Sequence, residues 1–283
     1  MYLDFNQGLR PTRVPAWTVL LPFFNEREYL AATIASLAAQ SEPARLVLID
    51  NGSTDGSAEV ATAAARAHGI DHVLVVERTA GKVAALKAGL AYAHTRFTAT
   101  CDADTLYPAG YLAEAGRLLS QRGCVVAGAY FVAPGTDDET RLARGRTVAL
   151  ASRLLPRQSH TGGAGQAFCT QTLRRAGGFD PDRWNLVLED HEIIHRVLRT
   201  GTMRYSTQLW CAPSPRERDR ESIRWTGLER LMYSLAAPFA GDWFFYTFLG
   251  PRLARRRLAS HRIRERQFQL DEGPVFASPH PVL

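Results

Sequence analysis

The chain has 283 residues, 46% of them hydrophobic and 22% charged, which is enough apolar content for one large packed domain or two small ones. Its formal net charge of +6 is local, because between Pro251 and Arg266 seven arginines face Glu265 alone. The rest of the chain is balanced, which argues against a basic, nucleic-acid-binding body.

Trp17–Phe23 reads as a first strand and runs into Pro22–Phe23–Phe24–Asn25–Glu26. Leu30, Ile34 and Leu37 then repeat at helical spacing up to Gln40. Arg45–Asp50 is a second strand with an acid at its carboxyl end. The turn Asn51–Gly52–Ser53–Thr54–Asp55–Gly56 leads to Ser57, an N-cap for the alanine-rich helix to His68. His72–Glu77 is a third strand. Gly81–Lys82 opens a helix with Val83, Leu86 and Leu90 on one face, and Phe97–Asp102 follows as the fourth strand. A helix from Pro108 to Gln121 and a strand, Cys124–Phe131, continue the alternation. The fold expected is α/β: a mixed, mainly parallel sheet flanked by helices on both faces.

The rhythm then changes. Asp137 to Leu155 is a charged amphipathic helix, followed by the glycine-rich loop Thr161–Gly162–Gly163–Ala164–Gly165–Gln166. Gly177–Gly178–Phe179–Asp180 is a turn, and Glu189–Asp190 begins a helix that Gly201 ends as a C-cap. From Ser214 the chain becomes helical and basic, with Leu228, Leu231, Met232 and Leu235 in one stripe, then the aromatic run Phe239–Leu249 and the arginines. Residues 1–213 form the expected main domain, 214–270 a helical extension and 271–283 a disordered tail. Cys101, Cys124, Cys169 and Cys211 are widely spaced without a C-x-x-C pair, so neither a zinc ribbon nor a disulfide scaffold is expected. With no apolar signal core near Met1, and with Pro238, Gly241 and Asp242 interrupting the longest apolar stretch, a cytoplasmic protein is expected.

The stretch that concentrates chemistry is Asp102–Ala103–Asp104, two carboxylates directly after a buried strand. In an open α/β sheet, ligands gather beyond the carboxyl ends of strands. Hard cations such as Mg²⁺ or Mn²⁺ take carboxylate oxygens and complete their shell with substrate phosphates. Two acids at a strand end can also simply start a helix, and the same holds for Glu189–Asp190 against the helix dipole.

Leu21-Pro-Phe-Phe-Asn-Glu26, Ile49-Asp-Asn-Gly-Ser-Thr-Asp-Gly56, Gly81-Lys82, Asp102-Ala-Asp104, Gly163-Ala-Gly-Gln-Ala-Phe168, Gly177-Gly-Phe-Asp180 and Glu189-Asp190 with Arg196 occur in that order. The series resembles the inverting glycosyltransferases of family 2, which have the GT-A fold. The resemblance implies a nucleotide-diphosphate sugar as donor and a divalent metal, Mn²⁺ or Mg²⁺, as cofactor. It also implies that Pro22, Phe24, Asn25, Glu26 and Asp50 line the base and ribose pocket, although the family often has a second acid where Asn51 stands. By the same resemblance Gly81 and Lys82 lie near the nucleotide, Asp102, Ala103 and Asp104 at the donor sugar and diphosphate, and Asp104, with Asp102, holds the metal. Asp190, with Glu189 beside it, is the implied general base.

Two other readings compete. His191–Glu192–Ile193–Ile194–His195 has the H-E-x-x-H form of zinc peptidases, with Glu217 or Glu221 as a third ligand. A GT-A domain retained as a binding or scaffold module is the non-enzymatic alternative, against which both D-x-D acids and Asp190 are present. Glu221–Ser222–Ile223–Arg224–Trp225 approaches the Q-x-x-R-W motif of processive relatives, whereas Ser214–Pro215–Arg216 fits the S-x-R element of non-processive ones, so transfer of a single sugar is expected. Saccharide, lipid-linked or small-molecule acceptors are all compatible. The aromatic stretch followed by arginines is what a segment lying on an anionic inner membrane face looks like; a buried hairpin or a homodimer contact would look the same.

Overall fold

The computed structural model describes residues 15–215 and 225–261. Eight strands form one sheet in the order β3-β2-β1-β4-β7-β6-β8-β5. They are β1 (Trp17–Phe23), β2 (Ala44–Asp50), β3 (His72–Val76), β4 (Phe97–Thr100), β5 (Thr105–Leu106), β6 (Cys124–Phe131), β7 (Gln166–Cys169) and β8 (Thr202–Pro213). β1 pairs in parallel with β2 and β4, in register Trp17↔Ala44 and Trp17↔Phe97, and β3 extends β2. β7 runs against both its neighbours, and β6 and β8 are parallel.

Period-two alternation explains why this sheet is buried on both faces. Val19, Leu21, Leu46 and Leu48 point to one side, where α1 (Arg27–Ala38), α2 (Ser57–Ala67) and α4 (Tyr111–Leu119) cover them. Leu20, Val47 and Ile49 point to the other, beneath α3 (Lys82–Leu90), α6 (Thr170–Arg175) and α7 (Glu189–Val197). A third apolar cluster joins Trp184 and Val187 to α8 (Gly227–Ala236), a π-helical segment Trp243–Leu249 and α9 (Gly250–Arg255). α5 (Asp138–Leu154) lies along β8, capped by the Asp137 carboxylate accepting from the Thr140 N–H.

Several expectations need correction. The N-cap of α2 is Gly56, left-handed at φ 88°; Ser57 is buried inside the first turn, where its hydroxyl accepts the Glu26 N–H at 2.9 Å. Strand β4 stops at Thr100, short of Asp102. Helix α7 ends at Val197, and Gly201 instead begins the approach to β8, where a Cβ would stand 2.6 Å from the Gly123 carbonyl. The stripe Leu228, Leu231 and Leu235 is at least half exposed, and Phe239 beyond it is 94% exposed. The face of α8 turned inward is Glu229, Tyr233 and Ala236. Glu229 is sheltered there because the Thr226 and Glu229 side chains close a capping box, while Arg252 and Arg256 of the basic stretch lie 3.5 and 3.3 Å from its carboxylate. Those two arginines are therefore held by the fold. The expected tail 271–283, Arg262, Arg264, Arg266, Arg216, Glu217, Glu221 and Arg224 lie outside the described residues.

Candidate active site

The turn after β4 is held from three directions. The Asp102 N–H donates to the Tyr107 hydroxyl at 2.9 Å, and that hydroxyl donates to the Ala164 carbonyl at 3.0 Å. The Ser214 N–H donates to the Asp104 carbonyl at 2.7 Å, and its hydroxyl faces the Asp104 carboxylate at 3.4 Å. Antiparallel pairing of β5 with the end of β8, Thr105↔Pro213, fixes this arrangement.

Lys82, in the first turn of α3, brings its ammonium to 2.5 Å from the Asp102 carboxylate and 3.9 Å from that of Glu189. Burial disfavours its charge, but Asp102, Glu189 and Asp190 together outweigh that and push its pKa well above the ordinary lysine value. A cleft of about 260 Å³ opens here, lined by Pro22, Phe24, Glu26, Lys82, Asp102, Ala103, Asp104 and Glu189 from among the expected residues, and by Asn51 and Ser260.

Three expected residues support this cleft without lining it. Asp50 turns its carboxylate into the following loop and accepts the Ser53 N–H at 2.8 Å. Asn25, left-handed at φ 53°, accepts the Thr54 N–H on its side chain and donates its own N–H to Ser53. Gly81 has φ 123°, a conformation that L side chains rarely adopt, and a Cβ there would stand 3.0 Å from the Ser260 hydroxyl. Asn51 takes the place expected for Asp50. Its amide donates to the Glu77 and Thr79 carbonyls at 2.8 Å each and accepts from the Gly81 N–H at 3.0 Å. A carboxylate at 51 could make only the last of these bonds, which is a physical reason for Asn at this position.

Glu189 and Asp190 open α7 behind Leu188, which is itself left-handed at φ 64°. The Val187 N–H donates to the Leu258 carbonyl, tying this bend to the end of the described chain. Burial raises the Glu189 pKa to about 7, against the pull of Lys82. Asp190 is equally sheltered, yet the His191 side chain and Lys82 overcome burial and hold its carboxyl below the ordinary value. The His191 ring nitrogen lies 2.9 Å from Asp190 Oδ1. The glycine loop wraps this pair, and the Gln166 amide donates to the Asp190 carbonyl at 3.2 Å. A Cβ on Gly163 would lie 3.4 Å from both Asp190 and the Lys82 ammonium, and one on Gly165 would lie 2.8 Å from the Ala129 carbonyl. Glycine is thus demanded at 165 by close approach to the β6 backbone, whereas a Cβ at 163 would only touch the charged pair.

Among the described residues, the H-E-x-x-H spacing does not produce a metal site. Glu192 is 1% exposed, forms a two-pronged pair with Arg196 at 2.7 and 2.8 Å, and accepts from the Tyr246 hydroxyl at 2.5 Å. His191 is engaged by Asp190, while His195 faces Asp242 at 2.8 Å and stacks on Phe245. Among the described residues, no group of three His, Cys, Asp or Glu side chains could hold a metal ion.

A second cavity, of about 480 Å³, is lined by His191, the residue after Asp190, and by Gly162, His160, Trp225, Tyr233 and Arg230, among others. Of its residues, the sequence singled out His191, Trp225 and, in the glycine-rich loop, Thr161 and Gly162. Ser214, Tyr107, Gln166 and Ser260 were missed as supports, and Ser260 acts on Lys82 across 178 positions of chain. No helix among the described residues is long and apolar enough to cross a membrane.

Comparison with known proteins accords with this geometry. The model of the family "Glycosyl transferase family 2" matches residues 18–177. Succinoglycan biosynthesis protein ExoU of Rhizobium meliloti is 37% identical over 105 residues, 37% of this chain and 30% of that protein. An undecaprenyl-phosphate 4-deoxy-4-formamido-L-arabinose transferase of Sodalis glossinidius is 33% identical over 104 residues, 35% of this chain and 32% of that protein. The matched segments thus span about a third of these relatives' lengths. In fold, the chain is similar to the mannosyltransferase PcManGT of Pyrobaculum calidifontis, crystallised with GDP-Man and Mn²⁺, with TM-score 0.65, 23% identity and coverage of 88% and 72% of the two chains. It is also similar to S. aureus TarS with UDP-GlcNAc, with TM-score 0.54, 16% identity and coverage of 84% and 72%. The chain belongs to glycosyl transferase family 2 and has the GT-A fold.

Proposed function

We propose that the chain transfers one sugar, with inversion, from a nucleotide-diphosphate sugar to an acceptor hydroxyl, and that Asp190 is the general base. The supporting observation is positional. Asp190 stands between Glu189, in the wall of the carboxylate cleft, and His191, in the wall of the second cavity. A base in that position can take a proton from a hydroxyl arriving on one side as it attacks an anomeric carbon held on the other. Its depressed pKa keeps it ionised at neutral pH, and His191 orients the carboxylate.

The cleft takes the donor on this reading. Phe24 and Asn51 border the base and ribose, and Lys82 meets the negative diphosphate. Asp102 and Asp104 fit a hard divalent cation, since two carboxylates on one turn, with no group of three metal-binding side chains among the described residues, is a set that leaves positions for phosphate oxygens and water. Bound Mn²⁺ or Mg²⁺ would offset charge on the departing diphosphate. Residues 1–213 constitute the catalytic domain, and the segment from 214 supplies the far wall of the second cavity through Trp225 and α8. The relative from Sodalis glossinidius is named for undecaprenyl phosphate. A lipid-linked acceptor at the inner membrane face is compatible with the outward leucine stripe of α8; saccharide and small-molecule acceptors fit the same cavity.

The test is nucleotide release from UDP-, GDP- and dTDP-sugars with Mn²⁺ or Mg²⁺, with and without EDTA. Metal-dependent release from one donor, abolished in Asp104→Ala, is the expected result. Release that EDTA and Asp104→Ala leave intact would remove the metal from the reading, and release undiminished in Asp190→Asn would remove the base.

A further inference from the structure

The second cavity differs from the cleft in what its polar groups lack. Arg144 on α5 and Arg230 on α8, both exposed, line it from different helices, and neither guanidinium makes a hydrogen bond or ion pair among the described residues. Gln158 lines it too. That side chain is 7% exposed, and its amide nitrogen is buried without a hydrogen-bond partner. A buried donor left unpaired is costly, so its persistence in a cavity wall points to a ligand oxygen that completes it. The Asp190 carboxylate, 3.5 Å from where a Cβ on the lining Gly162 would stand, is already engaged by His191. One wall is aromatic, with His191 and Trp225 ring centres 5.2 Å apart and Trp225 and Tyr233 4.9 Å apart.

An occupant must therefore present negative charge and several acceptor oxygens towards α5 and α8, and a hydroxyl towards Asp190. A planar carboxylate offers two oxygens in one plane, suited to a single guanidinium fork. Two guanidinium groups from separate helices and an amide suit the three outward oxygens of a tetrahedral phosphate better. We infer that this cavity binds an acceptor carrying a phosphate group, held by Arg144, Arg230 and Gln158. The inference rests on the transferase reading and names its acceptor class. The phosphate can belong to a lipid head group or to a soluble phosphorylated molecule. The exposed Leu228, Leu231 and Leu235 on the helix that carries Arg230 make the lipid source worth a separate arm of the test.

The experiment is a calorimetric titration of the full chain, first saturated with UDP or GDP and Mn²⁺ so that the cleft is filled. The probes are farnesyl phosphate in detergent, farnesol in the same detergent, and glycerol 3-phosphate. Saturable binding of farnesyl phosphate is expected, at least tenfold tighter than farnesol and weakened at least tenfold in the double variant Arg144→Ala/Arg230→Ala. Glycerol 3-phosphate binding as tightly supports the phosphate site and shows that no lipid is needed; binding of farnesyl phosphate alone supports it with the lipid as source. Gln158→Leu should weaken phosphate binding while its melting temperature equals or exceeds that of wild type, since an unpaired donor is removed. Equal affinity for farnesol, wild-type affinity in the double variant, or no phosphate binding alongside normal nucleotide binding would each overturn the inference. Absence of nucleotide binding in wild type would instead overturn the transferase reading, and the same titrations on the nucleotide-free chain would still decide the cavity.

Discussion

The two hollows on either side of Asp190 are built on opposite principles. In the cleft, the one cationic group is already balanced by carboxylates: Lys82 lies among Asp102, Glu189 and Asp190. In the cavity, two guanidinium groups and one buried amide have no partner among the described residues. The cleft grows from the carboxyl ends of β1, β2 and β4, where the parallel sheet places main-chain ends and short loops within reach of one another. The cavity grows from α5, the glycine loop and an aromatic cluster held by α8 and the π-helical segment. A balanced site must exchange partners when a charged ligand arrives, whereas an unbalanced one gains them outright. That contrast leads to different mutational behaviour on the two sides.

The largest effect is expected at the boundary. Asp190→Asn removes the proton acceptor and keeps the shape, so transfer should fall about 10²–10⁴-fold. Nucleotide affinity, measured by titration of UDP or GDP with Mn²⁺, should change far less. An equal loss in nucleotide affinity would place Asp190 in the cleft and erase the distinction between the two sides.

Next comes the buried pair on the same helix. Arg196→Met leaves the Glu192 carboxylate without its fork and without replacement solvent, and such a loss costs about 3–5 kcal/mol. Chemical denaturation should show it. The double variant Glu192→Leu/Arg196→Met should recover much of the loss, because it leaves no charge behind. A Glu192→Gln variant that lost activity with unchanged stability would revive a chemical role for Glu192, which its burial and its bonds to Arg196 and Tyr246 oppose.

Much of the cleft was legible because its residues sit beside signals that have a period. The alternation through Phe131 marks strand ends, and Asp102, Asp104, Lys82 and Glu189 lie at or just beyond element boundaries. Asp50 misled for the same reason. An acid at a strand end looks like a ligand, but its carboxylate is consumed by the Ser53 N–H, and the neutral Asn51 lines the cleft. The cavity was nearly illegible. β7 has four residues, and the first half of β8, Thr202–Gln208, is polar with Met203 as its one buried residue, so neither carries an alternation that can be read. The leucine stripe of α8 was legible as a stripe, but not its direction. That direction depends on Glu229 being sheltered by Thr226, Arg252 and Arg256, residues brought together by folding.

A smaller effect should sharpen the boundary itself. His191→Gln removes the charge and ring that hold the Asp190 pKa down, leaving burial, which raises it. A base must be ionised, so the acid limb of the transfer-rate profile should move to higher pH, with a loss that is larger at pH 5 than at pH 8. A purely structural role for His191 would lower the rate equally at all pH values.

The smallest effect lies on the cleft side, at Asp55. Its carboxylate accepts the Ser57 N–H at 2.9 Å, the Ser57 hydroxyl at 2.6 Å and the Arg27 N–H at 3.2 Å, which clamps the loop after β2 to the start of α1. Burial alone would raise its pKa, but the bonds from Ser57 and Arg27 outweigh it, and the net shift is downward. A carboxyl depressed in the folded state contributes stability above its unfolded pKa, and that contribution fades as pH falls through the folded value. Asp55→Asn should therefore cost about 0.5–1 kcal/mol at pH 7, discounted for partial exposure, and lose that cost towards pH 3. Because Asn25 and Glu26 hang from the same loop through Ser53 and Ser57, nucleotide affinity should weaken with stability in this variant, while phosphate binding in the cavity should not. A parallel loss on both sides would mean that the clamp supports the two hollows as one unit, and that the balanced and unbalanced sites are not energetically separate.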